Sequence, residues 1–127
     1  TARLRQQLDY VPKAGTTQAT FSSSTPGILF CSESLDPRGV RRLVQERPEL
    51  PFVVHPYSHA WFHTPRQLWQ QLDTMLRVQA VWNDVHIVSA GNHGPSQVYH
   101  PSGAVTETPI ATSSPAWEIG LVRIPLR

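Results

Sequence analysis

The sequence is poor in cysteine and in long apolar runs. With one cysteine in 127 residues the chain cannot form an intrachain disulfide, which excludes the small disulfide-stapled scaffolds. No apolar run approaches the roughly 18–20 residues that cross a bilayer, and the polar N-terminus lacks the apolar core of a signal peptide. Any membrane attachment is therefore expected outside these residues.

Clusters of one charge and metal-ligand patterns are also scarce. The 11 basic residues, of which Lys13 is the only lysine, give a net charge of +2 and are scattered along the chain. Their one dense group, within residues 38–47, is interleaved with Glu46 and Glu49 as on a solvated helix face, so we expect no nucleic-acid partner. The 6 histidines lack a His-Glu-x-x-His pairing and a cysteine partner, so we expect no metal and no cofactor.

What is present predicts one domain over residues 1–127, with residues 1–26 as an irregular lead-in. Helices are predicted over 37–47, with Asp36 as N-cap, and from a capping box at Thr64 to Asn83-Asp84. The strands are predicted at 27–31, 51–55 and 85–90, in a hairpin at 96–100 and 104–106, and as a closing strand at 117–124. This order predicts an α/β fold, with a mixed sheet and two main helices on one face.

Cys31 ends the first predicted strand, just before the chain turns polar and a helix begins. The continuous apolar run predicts an inner strand buried on both faces, whose last side chain lies at the carboxyl end of the sheet. Active sites of α/β proteins lie there, and a nearby helix N-terminus favours the nucleophilic thiolate. The other interpretation is a buried structural cysteine, because free cysteine is among the most buried residue types.

Other candidate site residues follow the predicted strands. Glu33 is either a catalytic carboxylate, acting as a base or orienting a substrate amine, or a solvated group at a helix start. Asn92, assigned to substrate binding, and Gly94 fit a loop with unusual backbone angles. An aromatic group either lines the mouth of a substrate site or packs on another part of the protein: Tyr57, Trp61 and Phe62.

Four motifs in this order resemble the nitrilase superfamily of carbon–nitrogen hydrolases. Residues 27–33 resemble its nucleophile strand, and their Cys-x-Glu is similar to that of the apolipoprotein N-acyltransferases. Residues 58–62 resemble the Asn-Asp-Ala-Trp-Phe segment of the same acyltransferases, and the helix over 67–82 falls where the family has one. Residues 88–96 with 101–103 are similar to the Asn-Asn-Gly-x-Ser/Thr and Pro-x-Gly ending of the superfamily.

The chain also departs from this family. Ser32 stands where the acyltransferases have tyrosine, and His59 where they have aspartate. The family's catalytic glutamate and lysine come from the part of the domain that precedes this region, and Lys13 lies closer to Cys31 than that lysine does. The resemblance therefore implies the C-terminal half of a nitrilase-type αββα sandwich, partnered by a missing N-terminal half that carries both charged groups.

The resemblance implies thiol chemistry on an acyl or amide substrate, in an acyltransferase or amidase of which this chain is a part. The Cys31 thiolate would attack a carbonyl, a glutamate would move the proton and a lysine would stabilise the oxyanion. An apolipoprotein N-acyltransferase would take a phospholipid donor and a lipoprotein acceptor at the periplasmic face of the inner membrane. Nitrilase-like proteins of plasmid conjugal transfer are an equally good match, and a homo-oligomer stays open.

Two other hypotheses stay open beside the enzyme. A nitrilase-like module that has lost catalysis would serve in binding or assembly, and its thiol would be inert. An unrelated small α/β domain would not place Cys31 at the carboxyl end of the sheet.

Overall fold

The computed structural model describes residues 24–60, 65–92 and 94–126, and its main element is a mixed sheet of five strands. In the order in which they lie side by side, the strands are β1 (Gly27–Ile28), β2 (Val53–Ser58), β3 (Ile87–Asn92), β4 (Gln97–Tyr99) and β5 (Val105–Glu107). The first three run parallel, and β4 and β5 are antiparallel to their neighbours. The predicted α/β fold, with parallel pairings before antiparallel ones, is confirmed.

The first crossover contains a 3-10 turn and a short helix. The turn, Cys31–Leu35, follows β1 and leads into helix α1 (Gly39–Glu46). The helix begins later than predicted because Asp36 closes a turn of its own, accepting the N–H of Arg38 at 2.9 Å. That hydrogen bond is the largest cause that lowers the pKa of Asp36, and the adjacent arginines are exposed, as a solvated helix face predicts.

The second crossover is helix α2 (Pro65–Trp82), which ends where the sequence predicts. Asp84 has a φ of 50°, and the N–H of Val85 reaches back to the carbonyl oxygen of Ala80 at 3.1 Å. This is the Schellman pattern, in which a left-handed residue satisfies the last carbonyls of the helix. The turn formers therefore predicted the helix end correctly.

The core lies between the two helices and one face of the sheet. Val53, Ile87 and Tyr99 are neighbours in one row across β2, β3 and β4, and all three are fully buried. The helices complete this cluster with Val40 from α1 and with Leu76 and Ala80 from α2. Both helices therefore pack on the same face of the sheet.

The opposite face also carries apolar side chains, but these stay partly exposed along the parallel strands. Ile28, Val54 and Val88 form one row, in which Ile28 is 49% exposed and the two valines are partly buried. Val98 of β4 continues that row and is buried. β2 and β3 are thus apolar on both sides, the pattern of strands with a layer on each face.

The prediction of an inner strand at residues 27–31 is wrong. β1 is two residues long, borders the sheet, and pairs only with β2 within the described part of the chain. The N–H of Leu29 still donates to the carbonyl oxygen of Val54 at 3.0 Å. Pairing then stops, because Cys31 turns into the left-handed region with a φ of 41°.

The strand predicted at 117–124 is present but ends at Gly120, and the prediction that it closes the main sheet is wrong. Residues Trp117–Gly120 (β7) pair with Ile110–Ser114 (β6), a strand that the sequence patterns did not predict, in a separate two-stranded sheet. Because β6 ends in the polar residues Thr-Ser-Ser, its sequence shows no clear alternation of apolar and polar residues. Most of the predicted lead-in over 1–26 lies outside the described residues.

Candidate functional site at the carboxyl end of the sheet

The carboxyl ends of β1, β2 and β3 bring Cys31, Ser58 and Asn92 together. The Sγ atom of Cys31 lies 3.9 Å from the carbonyl oxygen of Ser58, and Nδ2 of Asn92 donates to Oγ of Ser58 at 3.2 Å. The N–H of His59 donates to the carbonyl oxygen of Asn92 at 3.0 Å. Two sequence-predicted site residues, Cys31 and Asn92, therefore lie at the same end of the sheet.

Cys31 adopts a backbone conformation that non-glycine residues rarely take. Its φ of 41° lies in the left-handed region, which costs a residue with a Cβ about 1 kcal/mol or more. Its carbonyl oxygen accepts two hydrogen bonds, from Oγ of Ser34 at 2.8 Å and from Nε2 of His55 at 2.9 Å. The half-buried thiol thus stands on a turn that its neighbours hold in place.

Glu33 closes the same turn with its side chain. One carboxylate oxygen accepts the N–H of Phe30 at 2.7 Å, and the N–H of Glu33 donates to the carbonyl oxygen of Phe30 at 2.8 Å. The side chain is otherwise exposed to solvent. In this geometry its observed contact is to backbone, and a role as base stays a prediction.

A buried glutamine ties the turn to helix α2. Nε2 of Gln79 donates to the carbonyl oxygen of Ser34 at 2.8 Å, and its Oε1 accepts the N–H of Val40 at 3.0 Å. The side chain is fully buried. Sequence reasoning missed Gln79, because a glutamine beside an apolar helix stripe is not distinguishable in sequence from a surface glutamine.

His55, another residue that sequence reasoning missed, lies beneath Cys31 and is fully buried. Its Nε2 atom is 2.9 Å from the carbonyl oxygen of Cys31, and its Nδ1 atom is 2.9 Å from Oγ of Ser89. Burial is the largest cause that lowers its pKa, so the ring is neutral at neutral pH. Because a carbonyl only accepts, Nε2 carries the proton, and Nδ1 accepts from the Ser89 hydroxyl.

Tyr57 lies beneath the loop that follows β3. Its ring stacks on that of Trp69 at a centroid distance of 5.8 Å, and the ring of His59 is 4.7 Å away. Its hydroxyl donates to the carbonyl oxygen of Pro95, and burial raises the pKa of the phenol. The side chain is 5% exposed, so it supports the loop from below and does not line an open mouth.

The side chain of Tyr57 explains why Gly91 and Gly94 are glycines. The prediction that Asn92 and Gly94 need unusual backbone angles is wrong, since neither has a positive φ. A Cβ on Gly94 would lie 2.5 Å from the Tyr57 hydroxyl oxygen, and one on Gly91 would overlap the same atom. These positions therefore require glycine for space. Trp61, Phe62 and Lys13 lie outside the described residues.

A cleft of about 500 Å³ opens beside Asn92, between the described residues of the loop after β3 and the β6–β7 sheet. Its wall includes Trp117, and among the described lining residues only Glu107 and Glu118 are charged. Cys31 is not among the described residues that line this cleft.

Comparisons with known proteins give no assignment. No protein-family model matches the chain, and no curated protein matches its sequence. In the part of the chain that the structure describes, no cluster of three or more His, Cys, Asp or Glu side chains is arranged to hold a metal ion. Nor does any described helix have the length and apolar character to span a membrane.

Proposed function

We propose that this chain supplies the thiol nucleophile of an acyl-transferring or amide-hydrolysing enzyme with a nitrilase-type domain. The observation that carries the proposal is the setting of Cys31, a half-buried thiol at the carboxyl end of a parallel strand with a φ of 41°. Strained non-glycine residues cluster at functional sites. A sharp turn from strand to helix is also how α/β-hydrolases present a nucleophile.

The partly exposed sheet face supports a nitrilase-type αββα sandwich, in which a second sheet would cover the side opposite the helices. Ile28, Val54 and Val88 offer apolar surface there, and burying it would stabilise the protein by about 25 cal/mol per Å². Among the described strands, β1 has a neighbour on one side only, so its other border offers a further strand a place to pair. In the proposal, the covering layer is the N-terminal half of the same domain and carries the catalytic glutamate and lysine.

The proposed reaction proceeds through a thioester. The Cys31 thiolate forms a bond to the carbonyl carbon of an ester or amide, and the carbonyl electron pair moves to oxygen. When this intermediate collapses, the bond to the leaving group breaks and the leaving group takes a proton from a general acid. Water or an amine then attacks the thioester and gives up a proton to the conjugate base of that acid, which restores the acid, and the thiolate leaves. In an acyltransferase, the donor would be a phospholipid and the acceptor a lipoprotein amine.

Transfer of an acyl group from a small activated ester tests this proposal. We expect incubation with p-nitrophenyl acetate to add one acetyl group to Cys31, visible by intact-mass spectrometry and removed by neutral hydroxylamine, as for a thioester. The matched control is Cys31→Ala, which should stay unmodified under the same conditions. Absence of the adduct in the wild-type chain, or equal acetylation of the variant, would contradict the proposal.

The second candidate function is a nitrilase-like module that binds or assembles with a partner and has no catalytic activity. The backbone contact of the Glu33 carboxylate favours this candidate. An oxygen of the carboxylate already accepts the N–H of Phe30 at 2.7 Å, so the group is engaged in closing the turn. On this alternative the ester leaves no adduct, and the chain instead binds its partner through the open sheet face.

A further inference from the structure

We propose that His55 is a positioning residue that holds the turn of Cys31 in its left-handed conformation. The consequence for reactivity rests on the proposed thiol chemistry, whereas the conformational role does not. His55 belongs to β2 and Cys31 to the turn after β1, so the contact between them joins the turn to the neighbouring strand.

Two side chains donate hydrogen bonds to the carbonyl oxygen of Cys31. A carbonyl oxygen has two lone pairs, and both are used, by Oγ of Ser34 at 2.8 Å and by Nε2 of His55 at 2.9 Å. Ser34 belongs to the same turn and moves with it. His55 is therefore the donor that fixes this carbonyl relative to the sheet.

The ring of His55 is itself held in place by its neighbours. Ser89 lies directly opposite in β3, and its Oγ atom is 2.9 Å from Nδ1 of the ring. The ring also stacks on Tyr57, with centroids 5.4 Å apart and planes 20° apart. A buried ring held on both nitrogens and one face has one orientation, which places Nε2 under the carbonyl.

The contacts of His55 give it a positioning role and not a catalytic one. The contact of His55 is to the backbone oxygen of Cys31, and the thiol itself contacts the carbonyl oxygen of Ser58. Nε2 carries a proton in both protonation states of the ring, so it donates to the carbonyl in either state. His55 can therefore donate to this carbonyl in either protonation state of its ring, without taking the thiol proton.

Three variants of the 127-residue chain test the role. His55→Gln keeps an N–H donor near the position of Nε2, His55→Leu removes it, and Ser89→Ala leaves the bond to Cys31 in place. The conformational readout is the intraresidue amide-to-Hα distance of Cys31 by NMR, which is short when φ is positive. The chemical readout is the rate of alkylation by iodoacetamide.

We expect the short distance in the wild type, in His55→Gln and in Ser89→Ala, and its loss in His55→Leu. The alkylation rate of His55→Leu should change by about three- to tenfold toward the rate of free cysteine. This factor corresponds to the net free energy of one lost hydrogen bond. Rescue by glutamine and not by leucine is a result that general loosening of the core would not give.

A folded His55→Leu that keeps the short distance would overturn the proposal. If that variant does not fold, an NMR measurement on the wild type alone tests the proposal. The hydrogen bond requires an Nε2 proton of His55 that exchanges slowly with solvent and shows a scalar coupling to the Cys31 carbonyl carbon. An Nε2 proton that exchanges rapidly with solvent and shows no such coupling would overturn the proposal. A wild-type rate equal to that of free cysteine, with the distance lost in His55→Leu, would contradict the proposed function and still support the positioning role.

Discussion

Four buried polar side chains hold the turn of Cys31: Ser34, His55, Gln79 and Ser89. Each has a hydrogen-bond partner, either in the turn or in a residue that contacts it. Leaving one such group unpaired in the interior costs about 1–3 kcal/mol. Polar side chains therefore specify the geometry at this end of the sheet, whereas the apolar core specifies the packing of the helices.

Burial of histidine predicts a loss of stability in acid. Burial lowers the pKa of His55, His59 and His86 below the ordinary value of 6.5. Below that value the unfolded chain binds more protons than the folded one, so the free energy of unfolding falls until the folded-state pKa values are passed. We expect urea unfolding to show a less stable protein at about pH 5 than at about pH 8.

His55→Gln is the matched control for this pH dependence, since it removes one of the three titrating groups. The fall in unfolding free energy between the two pH values should be smaller in that variant. Equal stability of the wild type at both pH values would contradict the burial of neutral histidines.

The contact between Tyr57 and Gly94 predicts a non-additive pair of substitutions. Gly94→Ala places a Cβ 2.5 Å from the Tyr57 hydroxyl oxygen and should cost about 2 kcal/mol. Tyr57→Phe loses the hydrogen bond to Pro95 and should cost about 1 kcal/mol. Phenylalanine lacks the hydroxyl oxygen, which is the nearest atom that the new methyl would meet, and keeps the ring carbons at 2.9 and 3.0 Å. The clash is therefore relieved in part, and the double variant should cost less than the sum. Strictly additive costs in urea unfolding would refute this.

Among the secondary-structure elements, the end of α2 offers a test of turn chemistry. Asp84 occupies the left-handed position with a φ of 50°, where a residue with a Cβ is strained. Asp84→Gly should raise the free energy of unfolding by about 1 kcal/mol, because glycine takes this conformation without that cost. Thermal unfolding measures the gain.

Asp84→Ala is the control, since it removes the carboxylate but keeps the Cβ. Its stability should not rise. A gain as large as that of glycine would show that the charge, and not the backbone conformation, determines the effect.

Sequence patterns predicted those elements whose signals are local. The turn formers at the end of α2, the apolar runs of β2 and β3, and the reversal at 101–103 all correspond to observed elements, whereas the capping box predicted at Thr64 lies outside the described residues. The border position of β1 could not be predicted, because an apolar run has the same pattern whether or not a strand lies on its other side. β6 is too polar to show an alternation.

The candidate site was predictable only in part, for the same reason. Cys31 and Asn92 lie where strands end, which sequence shows, and both are found at the carboxyl end of the sheet. His55, Ser89 and Gln79 lie within elements, and their contacts with the turn join residues that are far apart in the chain. Such contacts have no local sequence signal.

At the scale of the whole molecule, the described fold is a sheet with helices on one face and partly exposed apolar residues on the other. Ile110, Trp117 and Ile119 add further exposed apolar surface on the β6–β7 sheet. Groups of exposed apolar side chains are a feature of surfaces to which other parts of a protein or other chains bind. We propose that the open sheet face is covered by the layer that completes the site around Cys31.

The most direct test of the proposed role of Cys31 as a nucleophile is its second-order rate constant with iodoacetamide at neutral pH. The same chain unfolded in urea is the matched control, since it presents the same thiol without the turn. We predict that the folded chain reacts faster, by about tenfold or more, as expected for a thiol presented as a nucleophile. A folded chain that reacts no faster than the unfolded one would contradict a catalytic role for Cys31.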